Sequence, residues 1–279
     1  MSASELDTNL PVVRQPVPLR PVTGRVWWPA FEPIWSAWVW GASLSTLVGA
    51  SLGAFVTAPF LSHARRHSLF FAGGLGACVH LTGSALKVEY DPDFDPERRS
   101  VFSQNHISML DGQVACTAIP HAFCGLMNHW HFRIPGYGWI MKLAGSIPVY
   151  PRSAGRTGEI TAAARDRAER GLSILVFPEG HRTLTGLPRP FKRGVFFMAR
   201  DAGLPVVPLC VRGLYEVNHK GSMRFRPGHV QVYVGPQIET AGLDDDGVAR
   251  LANAFYEATL EYVATGVLPV SRLRNLDDA

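Results

Sequence analysis

From residue 33 to residue 64 the chain contains no Asp, Glu, Lys or Arg. About 20 apolar residues are enough to cross the hydrocarbon part of a bilayer. This stretch is therefore long enough to require an apolar surrounding, whether lipid or protein interior. Its start is rich in tryptophan (Trp27, Trp28, Trp35, Trp38, Trp40), a side chain that suits the water–lipid interface. Arg65 and Arg66 follow. A second uncharged stretch, 68–86, contains Gly73, Gly74, Gly76 and Gly83. It reads as a second span, a re-entrant helix, or a helix packed on the domain that follows. The alternative for both stretches together is a buried soluble helical hairpin. Basic residues lie on both sides of the first segment (Arg20, Arg25; Arg65, Arg66), so the positive-inside rule does not set its orientation. A hairpin dipping into one leaflet keeps both ends on one side. Residues 26–90 are expected to form this apolar, membrane-associated helical segment. Residues 1–25 carry Pro11, Pro16, Pro18 and Pro21 and no apolar period, and are expected to be a flexible tail. They lack the basic start and apolar core of a signal peptide.

Composition agrees with a lipid surrounding. Charged residues make up 18% of the chain, against roughly 25% in ordinary soluble domains. The net charge of +4 and the pI near 9.0 favour anionic head groups. No recognised nucleic-acid motif is present, so no nucleic-acid partner is expected. Cys78, Cys116, Cys124 and Cys210 form no CxxC pair and no zinc spacing, and are expected to be reduced thiols.

After Asp91-Pro92 the pattern changes to strands alternating with helices. Strands are expected near 122–126, 146–150, 173–177, 205–211 and 230–234. Helices are expected near 108–118, 137–143, 157–170 (ended by Gly171), 194–201 and 243–264. This alternation indicates an α/β fold with a mixed, largely parallel sheet flanked by helices. The expected catalytic domain is 91–270.

Two segments carry chemistry. Asn105-His106-Ile107-Ser108-Met109-Leu110-Asp111 follows a short apolar run (Val101, Phe102). A histidine held by a carboxylate makes a good general base, because the carboxylate fixes the tautomer and stabilises the imidazolium. A separation of five does not stack on a regular helix. The natural geometry puts His106 in a strand-end loop and Asp111 in the first turn of the next helix, where its charge suits the helix N-terminus. The second segment, Phe177-Pro178-Glu179-Gly180-His181-Arg182-Thr183, ends the apolar run 173–176. Pro178 and Gly180 stop the strand and allow a tight turn. The turn would present Glu179 and Arg182 at the carboxyl end of a strand, where open α/β sheets bind ligands. Arg182 can pair with phosphate through its planar fork. A surface turn with a solvated Glu/Arg pair is the alternative.

Taken together and in this order, the segments resemble the glycerolipid acyltransferase family. Its Asn-His-x4-Asp motif is matched by Asn105, His106 and Asp111, and its Phe-Pro-Glu-Gly-x-Arg motif by 177–182, with His181 at a place where Thr is common. Pro190-Phe191-Lys192-Arg193-Gly194 and Val207-Pro208-Leu209 match two further segments. The remaining motif, Gly-x-Ile-x-Val-x-Arg, is matched with its arginine one residue late, at Arg152. The resemblance covers roughly 99–236. It implies transfer of a fatty acyl group from acyl-CoA or acyl-carrier protein to a lysophospholipid hydroxyl, with lysophosphatidic acid the first choice of acceptor. It implies His106 as base, Asp111 as its orienting partner, and Glu179, Gly180, Arg182 and Arg152 around the acceptor phosphate. No cofactor is implied beyond the acyl donor. Membrane lipids are the expected partners, and the active site is expected to face the cytoplasm. Oligomeric state is not legible. Other acceptors (lyso-ornithine lipid, glycerol phosphate) and a lipid ester or thioester hydrolase remain as alternatives.

His129 and His131 invite a metal reading, since alternate histidines on a strand share a face, but a third ligand at metal spacing is missing. Lys192 and Arg193 have either a phosphate or CoA role or a solvated face. Lys220, Arg224 and Arg226 read as a solvated loop or a lipid head-group contact. There is no Gly-x-Ser-x-Gly elbow.

Overall fold

In the computed structural model, which describes residues 28–135, 137–150, 157–269 and 273, the apolar runs of the catalytic part become neighbouring strands. They are β1 (Ala85–Tyr90), β2 (Val101–Gln104), β3 (Phe123–Asn128), β4 (Ile147–Val149), β5 (Ser173–Val176), β6 (Val206–Arg212) and β7 (His229–Val234). One sheet contains all seven, in the order β1-β7-β6-β2-β5-β3-β4. Neighbours are parallel except β6 and β7, so β1 and β7 run against the other five. Every residue of β2, β5 and β6 is buried, the mark of strands covered on both faces. Along β6 the side chains alternate in destination. Val206 and Cys210 join one core, while Val207, Leu209 and Val211 join the other.

Helices supply the two covering layers. On one face lie α6 (Thr157–Glu169), α7 (Gly194–Ala202) and α9 (Asp245–Thr265), which send Ala164, Phe196 and Phe255 into the first core. Asp244 caps α9 by accepting from the Gly247 N–H at 2.7 Å. The other core is closed by α4 (Asp111–Ala118) together with the N-terminal helices, through Val114, Val39, Ala54, Phe71 and Val79. Between them, α5 (Tyr137–Leu143) precedes β4 and α8 (Leu214–Val217) follows β6. Gly171 takes a positive φ of 81° after α6, where a side chain would be strained, and turns the chain into β5.

The N-terminal part is a helical hairpin. α1 (Trp28–Val56) returns through α2 (His63–Arg66), a π-helical segment (His67–Leu75) and α3 (Gly76–Leu81). The two arms approach closely because glycines face large side chains or methyls. A Cβ on Gly53 would sit 2.4 Å from the Phe70 ring, and one on Gly74 would sit 3.1 Å from the Ala50 Cβ. The second uncharged stretch is thus a helix packed on the domain, with the His67 and Phe123 rings edge to face at 4.8 Å. α1 is, among the described residues, the one helix long and apolar enough to cross a bilayer. Only 17% of its most apolar window is buried. Ile34, Trp38, Leu44, Val48, Leu52 and Phe55 form an exposed apolar row on it.

One boundary differs from expectation. The sheet begins at Ala85, ahead of the expected domain start at residue 91, because β1 pairs in parallel with β7 from Ala85↔His229 to Tyr90↔Val234. As an edge strand β1 carries Lys87 and Glu89 and is only partly buried, so it has no continuous apolar run to announce it.

The ring of Phe255 is fully buried and meets Phe196 edge to face at 5.4 Å. Phe255→Ala should cost about 3–5 kcal/mol of stability. Denaturant titration of the detergent-solubilised protein measures this, and a loss under about 1 kcal/mol contradicts the packing.

Candidate active site

The parallel register Val101↔Ile174, Phe102↔Leu175, Ser103↔Val176 ends β2 and β5 side by side. The loops that follow, one holding His106 and the other 177–183, therefore leave the same end of the sheet as neighbours. This is the carboxyl end, the usual ligand side of such sheets. Asn105 holds the first loop from the opposite flank. Its amide donates to the Val211 carbonyl at 2.9 Å and accepts from the Val211 N–H at 2.8 Å. It behaves as one more rung of the ladder at the end of β6.

The chain then turns, and Asp111 starts α4. Its Oδ2 accepts from the backbone N–H groups of Ile107 (2.7 Å) and Ser108 (3.0 Å) and lies 2.6 Å from His106 Nδ1. Asp111 is buried, and the His106 side chain keeps 24% exposure. Burial pushes the Asp111 carboxyl up, against the pull of the His106 ring and the two N–H groups. With the Asp111 side of the ring taken by Nδ1–H, the free lone pair is on Nε2. No partner holds Nε2 among the described residues. The Phe177 ring stacks on the imidazole at 4.2 Å and 19° and limits its tilt. A positioned base with an orienting carboxylate and an open face is the outcome.

Glu179 was expected to be displayed at the turn beside Arg182. Instead it is buried at 3% exposure, and both carboxylate oxygens face inward. Oε1 accepts from the His106 N–H at 2.7 Å and Oε2 from the Arg189 N–H at 2.8 Å. Thr183 N–H donates to the His106 carbonyl at 2.8 Å. Glu179 therefore shapes the site from behind, by joining the His106 loop to the segment before α7. Gly180 sits at φ 74°. A side chain would be strained at that backbone conformation, and its Cβ would displace the end of the Lys192 side chain, 2.6 Å away. Arg182 is half-buried at this surface and has no carboxylate partner among the described residues.

Residues 85–212 match the family model described as Acyltransferase. The chain is 31% identical over 178 residues to the human 1-acyl-sn-glycerol-3-phosphate acyltransferase alpha, covering 62% of each chain. It is 28% identical over 166 residues to a 1-acyl-sn-glycerol-3-phosphate acyltransferase of Limnanthes douglasii, covering 59% of this chain and 58% of that one. Over residues 85–212 these likenesses support the glycerolipid acyltransferase family. These matches span less than two thirds of the relatives' length. The crystal structure of the 1-acyl-sn-glycerophosphate (LPA) acyltransferase from Thermotoga maritima shares the fold. Its TM-score is 0.71, with 84% of this chain and 95% of that chain covered at 18% identity.

The site thus gathers His106, Asp111, Glu179, Gly180 and Arg182. Arg152 lies outside the described residues. His129 and His131 fall on a 3-10 turn (His129–Arg133) and not on a strand, so they do not share a strand face. Each ring is taken up locally, His129 by Tyr150 at 4.7 Å and His131 by Trp130 at 4.3 Å. Among the described residues no group of three His, Cys, Asp or Glu side chains is placed to hold a metal. Arg224 and Arg226 are bound to Glu32 of α1. The stabilising parts of this site that sequence reading left without a role are Asn105, Phe177 and the N–H of Arg189. Asn105 had a signal: a buried amide just after an apolar strand is suited to extend a ladder.

Burial pushes the Glu179 carboxyl from its ordinary 4.5 up to about 7, while the N–H groups of His106 and Arg189 pull it down. A raised folded-state value means the stability Glu179 contributes is fully present below about 4.5 and is lost as pH rises through about 7. Glu179→Gln should flatten that part of the pH–stability curve. It should also weaken the site, because its NH2 must face a backbone N–H. Thermal unfolding at pH 5 and pH 8 checks this. An unchanged slope shows that Glu179 does not titrate in that window.

Proposed function

We propose that this protein transfers a fatty acyl group from an acyl thioester to the hydroxyl of lysophosphatidic acid, giving phosphatidic acid. The observation that carries the reading is the 2.6 Å contact of His106 Nδ1 with buried Asp111, beside an Arg182 that pairs with no carboxylate among the described residues. His106 Nε2 takes the hydroxyl proton as the oxygen attacks the thioester carbonyl. The thiolate leaves and receives that proton from the imidazolium. Asp111 stabilises the imidazolium in between. The acceptor is itself the nucleophile, so no acyl-enzyme is required. Arg182 pairs with the acceptor phosphate through its fork, with Gly180 leaving room and Arg152 as a second contact. The relatives' names, 1-acyl-sn-glycerol-3-phosphate acyltransferase, support this acceptor. The donor is acyl-CoA or acyl-carrier protein.

The same reading places the protein at a membrane. The exposed apolar row of α1 enters lipid, with Arg65 and Arg66 at the head groups, and the site faces the cytoplasm. The protein should sediment with membranes and resist high-salt extraction.

His106→Ala should lower turnover by about 10²–10⁴ with the fold intact. Arg182→Lys keeps the charge but loses the fork, and should raise the acceptor KM more than the donor KM. The assay uses labelled acyl-CoA with a panel of lysolipids, products identified by mass. Near-normal turnover by folded His106→Ala contradicts the mechanism. Release of free fatty acid without acceptor makes the protein a hydrolase instead.

A further inference from the structure

The loop 218–228 is tied at both ends, in one direction to α1 and in the other to the catalytic loop. On the α1 side, Glu32 is 2% exposed and takes Arg226 at 2.7 Å and Arg224 at 3.5 Å. Ser36 Oγ accepts from the Phe225 N–H at 3.0 Å. Trp40 Nε1 donates to the Met223 carbonyl at 2.9 Å, and its ring meets Phe225 edge on at 5.4 Å. Residues 32, 36 and 40 share one helix face, so a single stripe of α1 grips this loop. On the catalytic side the link is Asn218, 1% exposed. Its Nδ2 donates to the carbonyls of Ser222 and Arg224, both at 3.1 Å, and gathers the loop. Its Oδ1 accepts from Ser108 Oγ at 3.1 Å. The N–H of Ser108 in turn donates to Asp111 Oδ2, the oxygen that holds His106.

We propose that Asn218 is a positioning residue that couples the seating of α1 to the geometry of the His106–Asp111 pair. The links of the relay are each a matched pair: Glu32 with Arg226, Ser36 with Phe225, Asn218 with the loop carbonyls, Ser108 with Asn218. Asn218 uses both ends of its amide at once, the donor end on the loop and the acceptor end on Ser108. An apolar or purely accepting side chain cannot do this. In a buried network of this kind, removing one member leaves its neighbours unsatisfied and the loss spreads along the chain. Slack in the 218–228 loop would release Ser108, and Asp111 would lose one of its two backbone donors. The helix whose opposite face lies against lipid in the proposed function would then bear on the base.

The coupling is read first by a signal that needs no substrate. The proton shared by His106 Nδ1 and Asp111 should give a far-downfield NMR resonance in the full chain in detergent micelles, assigned by its loss in His106→Ala. Ser108→Ala, Asn218→Ala and Glu32→Gln should each shift or broaden it. Glu32→Gln touches nothing in the site, so an unchanged resonance in that variant overturns the proposal. Should Asn218→Ala fail to fold, Ser108→Ala breaks the same link from the other side with the loop left whole. The second reading is kinetic and rests on the acyltransferase assignment. Each variant should lower kcat about threefold to tenfold with both KM values unchanged. The Ser108→Ala/Glu32→Gln double variant should be no worse than Ser108→Ala alone, since the path is already cut. Simple addition of the two losses overturns the coupling. Failure of the acyltransferase reading would show separately, as parent-level turnover in His106→Ala, and leaves the resonance test standing.

Discussion

Placing β2 between β5 and β6, parallel to both, brings the His106 loop against two segments far from it in the chain. Asn105 reaches Val211 across 106 positions, and the His106 N–H reaches Glu179 across 73. Neither contact is available to a peptide loop on its own. Each consists of a buried side chain satisfying a backbone group that the end of a strand leaves unpaired. The loop at the end of β2 is thus held on both flanks and from behind, and the one face left open is the one toward which His106 Nε2 points. A base fixed this way spends little orientational freedom at the moment of reaction.

The charges near the base are sorted by burial. The two carboxylates, Asp111 and Glu179, are inside, Asp111 held through Oδ2 by two N–H donors and the imidazole and Glu179 held through both oxygens by N–H donors. The cations of the same loop, Arg182 and Lys192, remain toward solvent with no carboxylate partner among the described residues. An anion approaching this end of the sheet therefore meets positive charge outside and carboxylates held behind it. The four cysteines take no part. All are buried and unpaired, and burial pushes the thiols of Cys116, Cys124 and Cys210 up to about 12.

Much of this was legible from residue order, and the misreadings have physical causes. Fully buried strands such as β5 and β6 write themselves as apolar runs and were expected where they are found, whereas central β2 shows only Val101 and Phe102 before Ser103 and Gln104. The edge strand β1, with Lys87 and Glu89 on its exposed side, has no such run. The helix expected from about 108 starts at Asp111, because residues 107 and 108 must point their N–H groups at its carboxylate. A helical turn would have spent them elsewhere. Glu179 was the subtler case. Sequence places it in the turn beside Arg182 and suggests display. The parallel pairing with β2, which no local pattern reveals, brings the His106 N–H to one of its oxygens, the returning loop brings the Arg189 N–H to the other, and the side chain turns inward. The role of Arg224 and Arg226 was hidden in the same way, since their partner, Glu32, is almost two hundred positions earlier.

Glu32 also explains why α1 sits as it does. The uncharged run begins at the next residue, so this carboxylate marks the end of the helix that belongs to the protein interior. Glu32, Ser36 and Val39 form its buried face, and Ile34, Trp38, Leu52 and Phe55 its exposed one. A half-turn rotation of α1 would take Gly53 away from the Phe70 ring and the buried Glu32 carboxylate away from two arginines. Glycine packing and the Glu32 ion pairs together fix the azimuth, and the face they select is the one that bears Ser36 and Trp40 onto the loop above His106 and Asp111.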